Sequence, residues 1–557
     1  MSEPSLHVVL CWHMHQPEYR DPRSGRFAEP WTLLHGLKDY TDMAAHLERV
    51  DGAQVVVNFS PLVLEQIAVL VDELDAFLAG GPAPGEPLLA VLGDAGPPPD
   101  PDERARLLER CLRAHPERQV ARHPPLERLS RLARAALDDP GVETWLDDAF
   151  VADLAGWYLL AWLGESVRRD DMRARRLLQC ELGFDAARRQ ELLELVRDQL
   201  AGIIPRWRAL AEAGRVELSC NPYAHPILPL LIDFGAAHEA RPEVELPEGR
   251  YPDGGERARA HLHRARAVHA QYFGAGPAGC WPSEGGVSDA ALALIGEAGF
   301  AWAASGQQVL RHSLDEEDPG SDLLHRPWRV GEAGPLVFFR DDGLSDRIGF
   351  TYQDWHADDA VADLLECLEA IADDPEAGPG RVVPIVLDGE NAWEYYPDNA
   401  WHFLDALYQR LAEHPRIALT TFGALAAEPD SAAGRLDHVV AGSWVYGDFN
   451  TWIGDPQKNR AWTLLLETRA AVEAARAAGA PWTDEAERRL MICEASDWFW
   501  WPGEYNPADA VASFDRLFRH QLAALCDAVG AAPPADLDHS FARGEGHPEH
   551  GGTMRRG

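Results

Sequence analysis

The chain has 557 residues, 46% hydrophobic and 25% charged, with 51 Lys and Arg against 90 Asp and Glu. It is too long for one ordinary domain, and a barrel of ~250 to 400 residues with an appended domain fits the length. A net charge of −39 repels nucleic acid and anionic membranes, so neither is an expected partner.

Lys38 and Lys458 are the only lysines, and every other basic residue counted in that balance is arginine. Codon composition explains this bias. So does a salt-adapted cytoplasm, where surface repulsion is screened within ~3 Å at molar salt. The eight cysteines include no C-x-x-C spacing and sit mostly in apolar contexts, which reads as reduced core thiols without a disulfide frame or zinc site. The N-terminus enters a strand without a basic or apolar leader, and no run approaches ~18 apolar residues, so the expected location is the cytoplasm.

Leu6 to Trp12 reads as a buried strand that ends in His13-Met14-His15-Gln16-Pro17. Gln54 to Phe59 is a second strand, with a helix from about Leu62 and a Pro- and Gly-rich loop over Gly80 to Pro101. From about 102 to 214 the pattern is helical, an insertion after the second strand. Strands resume at Arg215 to Cys220, Ala278 to Pro282, Phe300 to Ala304, Leu336 to Arg340, Val382 to Leu387 and Ile417 to Thr421. Helical stretches lie between them, at Ser288 to Ala298, Ala357 to Asp373 and Asn399 to Glu413. This alternation predicts an α/β fold with a parallel sheet, and seven or eight strands predict a barrel. Residues 1–428 form that unit. Residues 429–530 read as a helical domain, with helices at Pro456 to Ala478, Thr483 to Ile492 and Pro507 to Val529. The polar tail, 531–557, reads as disordered.

Two runs stand out for chemistry. Cys280-Trp281-Pro282-Ser283-Glu284-Gly285-Gly286 and Ile385-Val386-Leu387-Asp388-Gly389-Glu390-Asn391 each end an apolar approach in a carboxylate followed by Gly. A parallel barrel presents acids this way at the C-terminal rim of its strands. Two such acids suit glycoside chemistry, which needs a nucleophile or base and an acid for the leaving oxygen. Glu390 competes with Asp388 for its role. His13 and His15 share one side of a strand end. They read as donors to sugar hydroxyls, as metal ligands with a third group such as Asp388 or His225, or as structural imidazoles. Glu217, mid-strand among apolar residues, must be paired if it points inward. The aromatic runs at 443–454 and 496–501 contain Asp448, Trp452, Asp497 and Trp498. They read as sugar-stacking surfaces or as packing between helices and barrel.

Together these runs resemble glycoside hydrolase family 57, over about residues 7 to 505. Trp12-His13-Met14-His15-Gln16-Pro17, Arg215-Val216-Glu217-Leu218, Cys280-Trp281-Pro282-Ser283-Glu284 and Leu387-Asp388-Gly389-Glu390-Asn391 are similar to the family's first four motifs, in order. The runs around Trp452 and Trp498 are similar to its helical domain, which closes over the groove. The resemblance implies a distorted (β/α)7 barrel and a retaining mechanism on α-glucans, with Glu284 as nucleophile and Asp388 as general acid/base. It implies no catalytic metal and no cofactor. Substrate contacts are expected from His13, His15, Gln16, Glu217, Trp281, Glu390, Trp393, Asp448, Trp452, Asp497 and Trp498. His15-Gln16-Pro17-Glu18-Tyr19-Arg20-Asp21 followed by Gly447-Asp448-Phe449-Asn450-Thr451-Trp452-Ile453-Gly454 looks closest to the α-amylase and amylopullulanase branch, which fits hydrolysis of α-1,4-glucan such as glycogen or maltodextrin. Glucan transfer on the same site, a metal-dependent hydrolase or deacetylase, and a non-catalytic glucan-binding protein are the alternatives.

Overall fold

A computed structural model describes residues 5–93, 96–139, 146–315, 320–331, 334–374, 380–428 and 433–546. Among them lie ten strands: β1 (Leu6–Met14), β2 (Val55–Phe59), β3 (Val216–Ser219), β4 (Gly279–Cys280), β5 (Trp302–Gly306), β6 (Trp328–Val330), β7 (Leu336–Arg340), β8 (Val382–Asp388), β9 (Ile417–Leu419) and β10 (Gly434–Leu436). Two sheets, β3-β2-β1-β8 and β4-β5-β7, are each parallel throughout. Two seams join them into a ring. Trp281 N–H donates to the Cys220 carbonyl at 3.1 Å, and Asp341 N–H donates to the Pro384 carbonyl at 2.8 Å.

The ring has seven strands. β9 pairs only with the first residues of β1, Leu6 to Val8, and so flanks the barrel. β6 runs antiparallel to β7 and pairs with β10 outside the ring. The sequence reading did not foresee β6 and β10, whose three residues each include an arginine, Arg329 and Arg435, and so show no apolar run.

Alternation along β1 sorts its side chains. Val9 and Cys11 pack inside the barrel with Val56, Trp281, Trp302 and Phe338. Leu10, Trp12 and Met14 belong to the outer core, under the helices. The same alternation turns His13 inward at the C-terminal rim.

Helix Pro61–Leu78 follows β2, with the Ser60 hydroxyl accepting from Val63 N–H at its start. The expected loop at 80–101 holds a one-turn helix, Pro87–Ala90, capped by Glu86. The helical insertion runs from Pro101–Arg110 to Ala186–Glu212. Buried Asp42 ties it down by accepting from Glu165 N–H at 2.6 Å and Ser166 N–H at 2.9 Å. Gly164 has to be glycine here, since a Cβ would sit 2.4 Å from the Asp42 carboxylate.

Helices Pro456–Ala477, Asp484–Cys493 and Ala508–Val529 close the C-terminal region. The last of these clamps the loop after β1. Ser513 donates to Glu29 at 2.5 Å and Gln521 donates to the Arg20 carbonyl at 3.0 Å. One apolar core runs unbroken from Leu6 through these helices to Leu537. The tail expectation is corrected for 531–546. Leu537 is buried, Phe541 meets Phe518 edge-on at 6.1 Å, and Phe541 N–H bonds Asp515 at 2.9 Å. A few anchoring apolar side chains outweigh the polar composition. The remainder of that expectation, 547–557, lies outside the described residues.

Both lysines are buried. Lys38 pairs with Asp39 at 2.7 Å, and Lys458 donates to the Phe499 and Trp500 carbonyls at 2.8 Å. The exposed permanent cations of the surface are therefore arginines. No helix among the described residues is long and apolar enough to cross a membrane.

Candidate active site

Glu284 stands where β4 ends. It takes a left-handed backbone conformation, φ 57° and ψ 25°, and Gly285 follows at φ 61°. A Cβ at Gly285 would lie 3.0 Å from the Trp281 ring and 3.3 Å from Trp444 Cβ, so the turn needs glycine for both space and sign of φ. A left-handed glutamate costs about 1 to 3 kcal/mol, a strain that concentrates at functional sites. The Glu284 carboxylate accepts from Trp444 Nε1–H at 2.9 Å through Oε2, while Oε1 lies 3.9 Å from His225 Nδ1. The side chain is 17% exposed, and no lysine or arginine among the described residues pairs with it. Burial pushes its pKa up to about 8, with the charges of Asp388 and Asp497 adding and the Trp444 hydrogen bond opposing.

Asp388 is the last residue of β8, in register with His13 on β1. Its one hydrogen bond among the described residues comes from Asn391 Nδ2 at 3.4 Å. Burial pushes its pKa up to about 6, against the pull of Asn391, His15 and Arg340. Glu284 and Asp388 are thus two rim carboxyls, each feeling burial and each short of compensation.

Three imidazoles stack beside them. His13 and His15 lie 5.8 Å apart, and His15 and His225 3.8 Å apart with planes 14° from parallel. His13 Nδ1 bonds the Asn58 amide oxygen at 2.8 Å, His15 Nε2 bonds Asp497 at 3.1 Å, and His225 Nδ1 bonds the Ser496 hydroxyl at 2.9 Å. Burial lowers His13 to about 3 and His225 well below the usual range, so both are neutral at physiological pH. His225 is itself left-handed, φ 62°. Buried His15 Nδ1 and His225 Nε2 have no hydrogen-bond partner among the described residues. Unpaired buried nitrogens of this kind suit ligand hydroxyls.

His15, His225 and Asp497 bring their ligand atoms within 4.8 Å of one another, the grouping that a metal reading would use. It is not the set of His13, His15 and Asp388. An imidazole binds a metal along a lone pair in its own plane. Near-parallel planes 3.8 Å apart do not converge on one ion at ~2.1 Å. The side chains form a stacked pair rather than a ligand set.

The remaining expected contacts divide. Glu390 is buried and accepts from His15 N–H at 3.0 Å and Tyr40 O–H at 2.6 Å, so it fixes the His15 backbone. Gln16 accepts from Tyr19 O–H at 2.9 Å beside it. Glu217 points inward as the strand period requires, but lies deeper in the barrel and is held by Trp302 Nε1–H at 2.6 Å and Gly423 N–H at 2.7 Å. Asp448 builds a turn and pairs with Arg241 at 2.9 Å.

The four tryptophans are corrected. Trp281, Trp393, Trp452 and Trp498 are all 0–1% exposed and offer no face to a sugar. Trp281 meets Trp444 edge-on at 5.0 Å, Trp393 donates to the Gly389 carbonyl at 2.9 Å, Trp452 packs on Trp500 at 5.7 Å, and Trp498 packs on Phe518 at 5.5 Å. Packing consumed these rings, Trp281 inside the barrel and the other three in the outer core that the helices share.

Sequence reasoning had not singled out Trp444, Ser496, Asn58 or Arg340. Asn58 carried a signal, as the one polar residue in Val55-Val56-Val57-Asn58-Phe59. Trp444 stood unmarked among many aromatics.

A barrel rim with two under-compensated carboxyls, one of them on a strained backbone, beside two neutral histidines is the kind of site that glycosidic-bond chemistry uses. The chain belongs to glycosyl hydrolase family 57, whose family model matches residues 9–428. No curated protein shows a significant sequence match. Among solved structures, the chain is similar to a family 57 branching enzyme from Pyrococcus horikoshii, at 16% identity over 96% of each chain with TM-score 0.55. It is similar to an α-amylase from Thermotoga maritima at 12% identity, covering 93% of this chain and 92% of that one, TM-score 0.54. It is also similar to a 4-α-glucanotransferase from Thermococcus litoralis at 13% identity, covering 94% of this chain and 60% of that one, TM-score 0.52. At these identities the likeness is one of fold.

Proposed function

We propose that the protein is a retaining α-glucan hydrolase of the cytoplasm, acting on α-1,4-linked chains of the glycogen or maltodextrin kind. The observation that carries this reading is the two half-buried rim carboxyls, Glu284 and Asp388, with no lysine or arginine among the described residues paired with either. In the first step Glu284 attacks the anomeric carbon and Asp388 protonates the departing oxygen. In the second, Asp388 takes a proton from water, which attacks the glucosyl ester.

The charge state supports the pairing. Between about pH 6 and 8 the pair shares one proton, as the chemistry needs. In the empty site burial favours that proton on Glu284, whereas attack needs it on Asp388. Substrate supplies the bias. The leaving oxygen beside Asp388 accepts a hydrogen bond from its protonated form, and the electron-poor anomeric carbon favours the Glu284 anion.

Incubation with amylose, glycogen and pullulan tests the reading, with reducing ends counted and the anomer of the first product read by NMR. Release of α-anomeric product from amylose is expected. A β-anomer, or no new reducing ends with any glucan, overturns hydrolysis with retention. Transfer to a sugar acceptor is the second reading, favoured by the slight exposure of Glu284, and appears as new linkages without new reducing ends.

A further inference from the structure

We infer that Trp444 is a positioning residue for Glu284, its indole N–H holding one carboxylate oxygen so that the other is aimed for attack. This rests on the reading of Glu284 as nucleophile. Trp444 grips that residue twice: Nε1–H donates to Oε2 at 2.9 Å, and its backbone N–H donates to the Glu284 carbonyl at 3.0 Å. The second bond restrains a residue whose left-handed backbone would otherwise relax. With Oε2 engaged, Oε1 is the atom left to give its electron pair to the anomeric carbon. The bond to the leaving oxygen breaks as that oxygen takes the proton from Asp388.

The indole is itself fixed from several sides. Val287 and Gly442 exchange backbone hydrogen bonds at 2.9 and 3.1 Å, an isolated bridge that docks the segment leading to Trp444 beside the Glu284 turn. Trp281 meets the ring edge-on at 5.0 Å, and a Cβ at Gly306 would stand 2.6 Å from Trp444 Cα. The Arg340 guanidinium lies over the ring, 5.7 Å from its centre. Arg340 is held by Asp342 and Asp346, each at 2.7 Å, and by the Val386 carbonyl at 2.8 Å. A cation on the ring face draws electron density from the indole and makes its N–H a better donor.

The other charged or titratable groups around Glu284 are Asp388 at the end of β8, Asp497 in helix Asp497–Trp500, and His225 after β3. The two acids oppose its ionisation, and His225 is neutral and beyond hydrogen-bond distance. Among the described residues, the Trp444 indole is the one hydrogen-bond donor to this carboxylate that favours its charged form.

The test compares Trp444→Phe with replacement of Trp444 by benzothienylalanine, which keeps the ring shape and puts sulfur in place of N–H. Either change is expected to lower kcat by ~10²-fold, the effect of removing one preorganised donor, with KM within about threefold. Loss of a bond to the anion raises the proton affinity of Glu284, the last of the pair to ionise in the free enzyme, so the alkaline limb of the kcat/KM profile should move up by about one pH unit. A benzothienylalanine enzyme with wild-type kcat, or an alkaline limb that stays in place, overturns the inference. Wild-type enzyme treated with a fluorinated α-glucosyl fluoride and mapped by mass spectrometry reports separately on the underlying reading. An ester on Glu284 with unaffected Trp444 variants sinks this inference alone, whereas an ester on another residue sinks the assignment of the nucleophile.

Discussion

Glu284, a half-buried glutamate, and Glu494, a fully buried one, behave in opposite ways. Glu494 is fully enclosed and receives Arg257 through two bonds at 2.7 and 2.8 Å, His261 at 2.8 Å and Tyr251 at 2.5 Å. Burial alone would raise its pKa, but the Arg257 charge and the His261 bond take it well below the usual range. Glu284 receives one indole N–H and no permanent cation, and burial carries it up to about 8. The same side chain is an anchor in one place and a reactive group in the other. What separates them is the number of donors, and cations above all, that the fold turns toward each.

The largest effect should come from removing the reactive member. Glu284→Gln is expected to lower kcat by ~10³-fold or more while leaving maltooligosaccharide binding within about threefold, measured by steady-state kinetics and calorimetry. Retention of more than a tenth of wild-type kcat would erase the contrast between the two glutamates. Asp388→Asn should lose about 10² to 10⁴ on amylose and much less on an aryl glucoside whose leaving group needs no proton. Equal losses on both substrates would move Asp388 out of the acid role.

The anchor should show itself in stability. Glu494→Gln leaves Arg257 buried beside a neutral partner, at an expected cost of about 3 to 5 kcal/mol by denaturant unfolding. A cost below about 1 kcal/mol would mean that neighbouring Glu487, 2.5 Å from Arg257, compensates. The buried rings belong on this side of the comparison too. Trp498→Ala should cost a similar ~3 to 5 kcal/mol through the cavity it leaves, without a separable change in sugar binding by the folded fraction.

The pH dependences should run in opposite directions. Unfolded Glu284 releases its proton near 4.5, whereas the folded protein keeps it to about 8. Between those values the native state binds more protons, so this residue removes stability as pH rises through the window. Glu494 is depressed on folding. The stability it contributes is present above 4.5 and lost only as pH falls toward its lower native value. Glu284→Gln should therefore melt ~1 to 3 °C above wild type at pH 8 and close to it at pH 4.5. A difference of the same size at both pH values would show that ionisation of Glu284 is not its source.

The smallest effect concerns the surface against both buried sites. Molar KCl should raise Tm more than it does for a near-neutral enzyme of similar size, because it screens the repulsion of a −39 chain. Parallel slopes would make the acidity a matter of composition only.

The sequence by itself determined the barrel strands and the placement of two acids at strand ends. A buried parallel strand is an apolar run of limited length, and Val382 to Leu387 ending in Asp388 states both the strand and its rim residue. Gly285 and Gly286 after Glu284 marked a turn that a side chain would block. The twofold period of a strand put His13 and His15 on one side, while the inward direction of His13 and Glu217 came from the barrel. Only the tertiary structure decided what each side chain meets. It spent Trp281, Trp393, Trp452 and Trp498 on packing and gave Glu217 to Trp302 and Gly423. It stacked His225 on His15 from a loop about 210 residues away, and it brought Trp444 to Glu284 across 160 residues. Local sequence records the periodicity and turn chemistry of neighbouring residues. The partner of a buried carboxyl is chosen by how distant elements pack, and no local pattern carries that choice.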